Sequence, residues 1–239
     1  MTMRFSGKLA LVAGGTGGLG RAVTLAFLEE GAKVVVTYQK QEEFDAVKSA
    51  ASMNGASLEG RRVDVTDEAA VRQLIESILA QHNQLDILVN AVGAFAGGAK
   101  LWELDTKVFD LMLALNVRSG YALARVATPV MLKQKGGAIV NVASKAALDH
   151  GPGVAAYVAS KAAALALMDS LAAEVKGTGV RVNSVLPSII DTEANRKAMP
   201  SADFTKWPKP EEIARVILFL CSDHAKLIHG AAVPVYGES

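Results

Sequence analysis

The chain has 239 residues, a formal net charge of +1 at pH 7 and one cysteine, Cys221. Acids and bases are interspersed, and no group of His, Cys, Asp and Glu has the spacing of metal ligands, which argues against a nucleic-acid-binding surface and a metal site. No intrachain disulfide is possible, and neither a signal peptide nor an apolar run of about 18 residues is found, so we expect a soluble cytoplasmic protein that does not bind membranes.

The first predicted element is a short buried strand at residues 8–13, and a glycine-rich turn follows it directly. An amphipathic run over residues 21–30 and a second strand at 34–37 complete a βαβ unit. Glycines at such a turn let backbone N–H groups approach a pyrophosphate at the positive end of a helix. The unit predicts a dinucleotide site at Gly14, Thr16, Gly17, Gly18, Leu19 and Gly20.

Two other interpretations of this turn are weaker. A glycine turn without a ligand rarely places so many glycines directly between a strand and a helix. A P-loop shares the spacing of Gly15 and Gly20, but Arg21-Ala22 stands where that loop needs Lys followed by Ser or Thr. We therefore exclude the P-loop.

The second strand ends in Tyr38-Gln39-Lys40, where a dinucleotide site selects its cofactor. An NAD-selective site usually places an acid about 20 residues after the glycines, to bind the ribose hydroxyls. Tyr38 occupies that place, and Lys40 could attract a 2′-phosphate or could simply be a solvated lysine at the start of a helix. The missing acid favours NADP(H) over NAD(H).

The middle of the chain continues the alternation of helices and strands. The predicted elements are helices at 41–54 and 68–81, strands at 58–63 and 86–89, a glycine-rich bend at 93–98 and a long helix at 105–134. Asp64 follows the third strand, although Thr66 and Asp67 are better placed to cap the next helix. Asn116 lies inside the long helix, where an asparagine is unfavourable unless its amide has a partner.

A tyrosine and a lysine, Tyr157 and Lys161, lie one helical turn apart on an alanine-rich helix predicted from residue 156 to 175. Residues i and i+4 share a helix face, so the ammonium should lower the pKa of the phenol toward the range of a general acid/base. Ser144 ends the preceding strand at 138–143, and its hydroxyl could bind the same substrate oxygen. The loop at 145–153, which contains His150, should line the substrate pocket.

The last third of the chain repeats the pattern. A strand at 180–186, a turn from Pro187 to Thr192, a polar stretch at 193–209 that contains Trp207, a helix from 210 to 221 and a strand at 231–235 are predicted. The polar stretch is typical of a mobile lid over a substrate. The unbroken alternation predicts a single α/β domain over residues 1–239, a doubly wound Rossmann-type parallel sheet of about seven strands with helices on both faces.

The chain resembles the short-chain dehydrogenases/reductases, in motifs that follow the family's order from about residue 5 onward. The family's glycine motif T-G-x-x-x-G-x-G runs from Ala13 to Gly20, with alanine for threonine. Its N-N-A-G motif is present as Asn90-Ala91-Val92-Gly93, and its P-G-x-x-x-T motif as Pro187-Ser188-Ile189-Ile190-Asp191-Thr192. The resemblance implies NAD(P)-dependent hydride transfer between a nicotinamide and a carbonyl or alcohol substrate.

The resemblance also implies roles for single residues. The family's tetrad falls on Asn116, Ser144, Tyr157 and Lys161, and its asparagine lies at a local helix break that holds a water against the lysine. Its acid after the third strand, which contacts adenine, falls on Asp64. The implied cofactor-binding residues include those of the turns above. They are Gly14, Thr16, Gly17, Gly18, Leu19, Gly20, Tyr38, Gln39, Lys40, Asp64, Val65, Asn90, Ala91, Gly93, Tyr157, Lys161, Pro187, Ile190 and Thr192.

The sequence leaves alternatives for the substrate and for the oligomeric state. The lid and the loop before Tyr157 look like those of dihydropteridine reductases, but that subgroup lacks the serine that Ser144 supplies, so an ordinary carbonyl or alcohol is favoured over a quinonoid pterin. His150 and Trp207 are the candidate substrate contacts. The family's subunit interface falls on the two long helices, which implies a homotetramer or homodimer, unless their small residues only pack on the sheet. A non-catalytic dinucleotide sensor is the alternative outside enzymes.

Overall fold

In the computed structural model, which describes residues 3–52 and 57–239, seven strands form one parallel sheet in the order β3-β2-β1-β4-β5-β6-β7. The strands are β1 (Leu9–Ala13), β2 (Lys33–Tyr38), β3 (Leu58–Arg62), β4 (Ile87–Asn90), β5 (Gly137–Val142), β6 (Val180–Pro187) and β7 (Ala232–Val235). The strand order reverses between β1 and β4, where such sheets open a crevice at the carboxyl ends of the strands. The predicted doubly wound fold is confirmed.

Helices cover both faces of this sheet. They are α1 (Gly18–Glu29), α2 (Gln41–Ser52), α3 (Glu68–His82), α4 (Thr106–Leu113), α5 (Ser119–Gln134), α6 (Ala155–Glu174), α7 (Glu193–Ala198) and α8 (Pro210–Cys221). The predicted second helix extended to residue 54, and its last two residues lie outside the described ranges.

The central strand β1 shows why its sequence is apolar throughout. Successive side chains of a strand point to opposite faces. Leu9 and Leu11 therefore belong to a core with α3, α5 and α6, whereas Ala10 and Val12 belong to a core with α1 and α8. Both cores hold the carboxyl ends of the strands in fixed positions.

The predicted long helix at 105–134 is not one α-helix. A π-helical segment, Ala114–Arg118, separates α4 from α5, and Asn116 lies within it. A π turn contains one more residue than an α turn and often marks a functional site. The local break that the resemblance implied is therefore present.

Helix α6 is the longest helix in the described part of the chain, and it is also the one described helix with the length and mean hydropathy (1.2) of a membrane-spanning helix. Core helices of soluble proteins reach the same values, and 39% of this apolar window is buried within the chain. The sequence analysis counted only uninterrupted apolar runs and so missed this property. The expectation that the protein does not bind membranes stays a prediction.

Candidate active site

The glycine turn after β1 is tightly folded and is hydrogen-bonded to the neighbouring strand β2. Gly14 has a φ of +71°, and its N–H donates to Thr37 Oγ1 over 2.9 Å. A Cβ atom at Gly20 would lie 2.0 Å from the carbonyl oxygen of Gly14, so only glycine fits there. The turn thus leads tightly into α1, whose first N–H groups are available for an anion such as a pyrophosphate.

The turn after β6 reaches the glycine turn from the opposite side of the crevice. A Cβ atom at Gly18 would lie 2.8 Å from Cγ2 of Thr192, so the two turns are in contact. Thr192 caps α7 by accepting the N–H of Asn195 at Oγ1 over 3.2 Å, and the amide of Asn195 donates to the carbonyl of Ile190 over 2.8 Å. The glycine turn and the turn after β6, which are both predicted to bind the cofactor, are therefore brought together.

The turn after β4 forms the middle of the cleft. Buried Asn90 donates from Nδ2 to Asn141 Oδ1 over 2.9 Å, and the N–H of Ala91 donates to the carbonyl of Ala13 over 3.0 Å. A Cβ atom at Gly93 would lie 2.8 Å from Oδ1 of Asn116 and 3.0 Å from Nζ of Lys161. Gly93 therefore lets the backbone pass directly against two members of the predicted tetrad.

Asp64, the predicted adenine contact, follows β3 at the protein surface. Its Oδ1 accepts the N–H of Thr66 over 2.9 Å and the hydroxyl of Thr66 over 2.7 Å, while the neighbouring Val65 is buried. Asp67, as expected, caps α3 through Ala69 N–H. Asp64 is thus held by a turn of its own, separate from the helix cap.

At the end of β2, the three residues predicted to select the cofactor already bind other groups of the protein. The hydroxyl of Tyr38 donates to Gln41 Oε1 over 2.8 Å, and the amide of Gln39 donates to the carbonyl of Val63 over 2.9 Å. Lys40 Nζ lies 3.1 Å from Oε1 of Glu43. The sequence analysis missed Glu43, whose signal is its place three residues after Lys40, in the first turn of a helix.

The predicted catalytic residues Tyr157 and Ser144 come from α6 and from the end of β5. Ser144 is buried, and its Oγ accepts the N–H of Ala146 over 3.1 Å, which orients the hydroxyl at the start of a short 3₁₀ turn. The Ser144 side chain also lies close enough to the Tyr157 hydroxyl to lower the pKa of the phenol. Two hydroxyl groups therefore meet where a substrate oxygen could be bound and protonated.

The pKa of Tyr157 does not follow the sequence prediction. Burial raises it above its ordinary value, and the nearby Ser144 side chain only partly counteracts that. Lys161 is buried and donates from Nζ to the carbonyl of Val142 over 3.0 Å, and burial lowers its own pKa to about 8. The predicted lowering of the tyrosine pKa by the lysine is therefore wrong for this structure.

Asn116 connects the π-helical segment to the bend after β4 and to α6. Its Oδ1 accepts the N–H of Ala94 over 2.9 Å, and its Nδ2 donates to the carbonyl of Ala94 over 3.0 Å and to Ser160 Oγ over 2.9 Å. Ser160 in turn donates to the carbonyl of Tyr157 over 2.7 Å. These bonds hold the bend after β4 against the turn of α6 that bears Tyr157 and Lys161. The sequence analysis missed Ser160, although it lies between these two residues.

Comparison with known proteins bears on this arrangement. Residues 13–237 match the family model described as enoyl-(acyl carrier protein) reductase. The chain is 32% identical to the 3-oxoacyl-(acyl-carrier-protein) reductase FabG of Thermotoga maritima, with 98% of each chain covered. It is 34% identical to dehydrogenase/reductase SDR family member 4 of Mus musculus, covering 97% of this chain and 87% of the relative. The chain belongs to the short-chain dehydrogenase/reductase family.

The fold comparison agrees with this assignment. The crystal structure of NAD⁺-bound xylitol dehydrogenase superposes with a TM-score of 0.90 at 25% sequence identity, and 98% of each chain is covered. As a short-chain dehydrogenase/reductase, the protein is an NAD(P)-dependent oxidoreductase. The residues present fit such a cofactor, because the close packing of Gly20 on Gly14 brings the N-terminus of α1 to the end of β1, where its first N–H groups can bind a pyrophosphate.

The surroundings of Tyr157 are partly aromatic. Phe95, which the sequence analysis missed within the glycine-rich bend, packs edge-on against Tyr157 with 5.0 Å between ring centroids and is 68% exposed. His150 is exposed on the loop after β5. Trp207 is 6% exposed and packs on Phe204, so little of its ring is accessible, and its predicted contact with a substrate stays a prediction.

Proposed function

We propose that this protein transfers hydride between NAD(P)(H) and the carbonyl or alcohol group of a small molecule, with Tyr157 as general acid/base. One observation carries the proposal most strongly. Tyr157 and Lys161 lie one helical turn apart on α6, Lys161 lies beside Gly93, and the Ser144 side chain lies close enough to Tyr157 to lower the pKa of the phenol. A non-catalytic dinucleotide sensor would have no use for this arrangement.

Each residue of the site has its own proposed role, and the nicotinamide supplies the hydride when the cofactor is bound. In the reductive direction Tyr157 donates its proton to the substrate oxygen, and its raised pKa keeps it protonated at neutral pH. Ser144 donates a hydrogen bond to the same oxygen and stabilises its developing charge. Lys161 supplies positive charge below a pH of about 8, and Asn116 fixes the helix that carries both residues.

The finer proposal for the cofactor is a preference for NADP(H). Tyr38 stands where an NAD-selective site has an acid, and the Lys40 side chain is 71% exposed at the end of β2. A 2′-phosphate could therefore reach a cation there. The remaining proposed contacts are those that line the same cleft, from Gly14 and Asn90 to Thr192.

For the substrate we propose an ordinary carbonyl or alcohol in preference to a quinonoid pterin. Ser144 favours it, since two hydroxyls can polarise a carbonyl oxygen. Phe95 and His150 are the proposed contacts, and an exposed aromatic ring beside Tyr157 suits a substrate with an apolar body. The relatives also include a D-threitol dehydrogenase, which is 35% identical over 98% of this chain.

The test is consumption of NADPH and of NADH with a panel of ketones, diketones, alcohols in the oxidative direction, and quinonoid pterins. We expect turnover of ketones or diketones and faster turnover with NADPH than with NADH. If only quinonoid pterins were turned over, the protein would be assigned as a pterin reductase instead. Tight cofactor binding without turnover of any member of the panel would support the sensor instead.

We also propose that the protein is a homodimer or homotetramer and that it acts in the cytoplasm. Helix α6 is apolar over most of its surface, yet only part of it is buried within one chain. Nearby, a groove of about 930 Å³ is lined by apolar residues that include Leu113, Val117 and Leu167, and also by charged residues such as Asp110 and Arg118. Light scattering should give a mass of about two or four times the 25.0 kDa of one chain, and a mass of one chain would refute the oligomer.

A further inference from the structure

A carboxylate lies beside the glycine turn where no acid was expected. Oε2 of Glu43 accepts the hydroxyl of Thr16 over 3.2 Å, and Oε1 of Glu43 lies 3.1 Å from Nζ of Lys40. Thr16 belongs to the turn that approaches the pyrophosphate, and Lys40 follows the strand whose end faces the adenine ribose. Glu43 therefore connects the two parts of the site that surround the ribose.

The position of Glu43 is enforced by its neighbour in the sequence. Phe44 is buried, and its ring stacks on that of Tyr38 with 4.8 Å between centroids and 9° between planes. The ring of Phe44 also fills the space over Gly60, where a Cβ atom would lie 2.4 Å from it. These contacts fix the first turn of α2 and hence the direction from which the carboxylate reaches Thr16.

The charge of Glu43 has consequences for cofactor choice. A carboxylate accepts hydrogen bonds from ribose hydroxyls, which is the task of the acid that NAD-selective sites place at the end of the second strand. A 2′-phosphate carries about −1.5 to −2 charges at neutral pH, so the same carboxylate repels it. Glu43 also neutralises Lys40, the one cation that the sequence analysis assigned to that phosphate.

We propose that Glu43 is the residue that limits NADP(H) binding at this site and sets the selectivity between NAD(H) and NADP(H). The inference rests on the proposed function, because it requires a dinucleotide whose adenine ribose lies between Thr16 and Lys40. Lys40 attracts the 2′-phosphate and Glu43 opposes it, so the balance between these two side chains decides the selectivity.

The experiment compares Glu43→Gln with Glu42→Gln. Glutamine keeps an oxygen that accepts the Thr16 hydroxyl, so the turn keeps its geometry while the charge is lost. Glu42 lies in the same helical turn and is exposed, so its variant makes the same change in net charge. Dissociation constants for NADPH and NADH are measured by nicotinamide fluorescence, without substrate.

We expect Glu43→Gln to shift the ratio of the two dissociation constants about tenfold toward NADPH, as a unit charge about 6 Å from a phosphate of charge about −2 would at the water-like effective dielectric of about 80 of an exposed site. Glu42→Gln should change that ratio by less than about twofold. Lys40→Met should weaken NADPH several-fold and leave NADH nearly unchanged.

The outcomes separate this inference from the function on which it rests. If the unmodified protein binds neither NADPH nor NADH, the proposed function itself fails. If it binds them and Glu43→Gln leaves the ratio within about twofold, Glu43 does not set the selectivity. An equal weakening of both cofactors would show that Glu43 only supports the turn, and would also overturn the inference.

Discussion

Replacing Tyr157 by phenylalanine is expected to lower kcat by about 10²–10⁴-fold, the usual contribution of a positioned general acid/base. The ring and its edge-on contact with Phe95 are retained, so the pocket keeps its shape. The dissociation constants of NADPH and NADH should stay within about twofold. Steady-state kinetics with a substrate from the carbonyl panel, and fluorescence titration of the cofactors, measure the two effects separately.

A second tyrosine supplies a matched control for this variant. The ring of Tyr236 packs against the core residues beside Ser144, and Lys145 lies 5.2 Å from its centroid. Tyr236→Phe removes a hydroxyl from the same neighbourhood and should leave kcat within about twofold. A Tyr157→Phe variant that keeps most of its kcat would remove Tyr157 from the proton-transfer step.

Replacing Lys161 by methionine is expected to abolish most activity and at the same time to stabilise the fold. Burial lowers the pKa of Lys161 from an ordinary 10.5 to about 8, so the protonated side chain is held at a cost in the folded state. Removing it should raise the free energy of unfolding by about 1–3 kcal/mol at pH 7, after allowance for the lost hydrogen bond to Val142.

The dependence of this gain on pH has a definite sign. Below pH 8 the lysine is protonated in the folded and unfolded states, and the full cost is present. Between pH 8 and 10.5 the folded protein loses its proton first, so the unmodified protein becomes more stable relative to the variant. The difference between the two proteins should therefore shrink across this window.

Urea unfolding of both proteins at pH 7 and pH 10 measures the difference. Lys176→Met, at an exposed lysine just after α6, is the matched control and should change stability by less than about 0.5 kcal/mol at either pH. A Lys161→Met variant that is less stable than the unmodified protein at pH 7 would contradict the account of the buried charge.

Most of the fold could be predicted because its signals are local. The apolar run of β1, the glycines that follow it and the periodic pattern of α1 lie within a few residues of one another, and each of the predicted strand ends falls within one or two residues of the observed one. The break at Asn116 could not be found from periodicity, because the helical pattern of residues 105–134 does not show one extra residue in a turn. Only the resemblance to a family implied it.

The candidate site was predicted to the extent that its residues are marked by type and spacing. Ser144, Tyr157 and Lys161 are such residues. Glu43, Phe95 and Ser160 were missed because ordinary residues become part of a site only when distant segments meet there. The pKa of Tyr157 was predicted with the wrong sign for the same reason. Spacing on a helix shows which groups share a face, but burial and the carbonyl that Lys161 binds come from the tertiary structure.

The π-helical segment at Ala114–Arg118 determines how this part of the chain responds to the deletion of a single residue. Each residue of an α-helix advances the chain by about 100° around the helix axis. Because a π turn absorbs one residue more than an α turn, deleting a single residue from this segment would leave one continuous helix in which α4 and α5 keep their present relative rotation. The widened turn itself would be lost, and with it the position of Asn116 against Ala94 and Ser160. The same deletion within α4 would instead rotate part of that helix by about 100° and take buried Met112 out of the core, so a one-residue deletion in the π segment should preserve the fold while it removes the contact between the bend after β4 and α6.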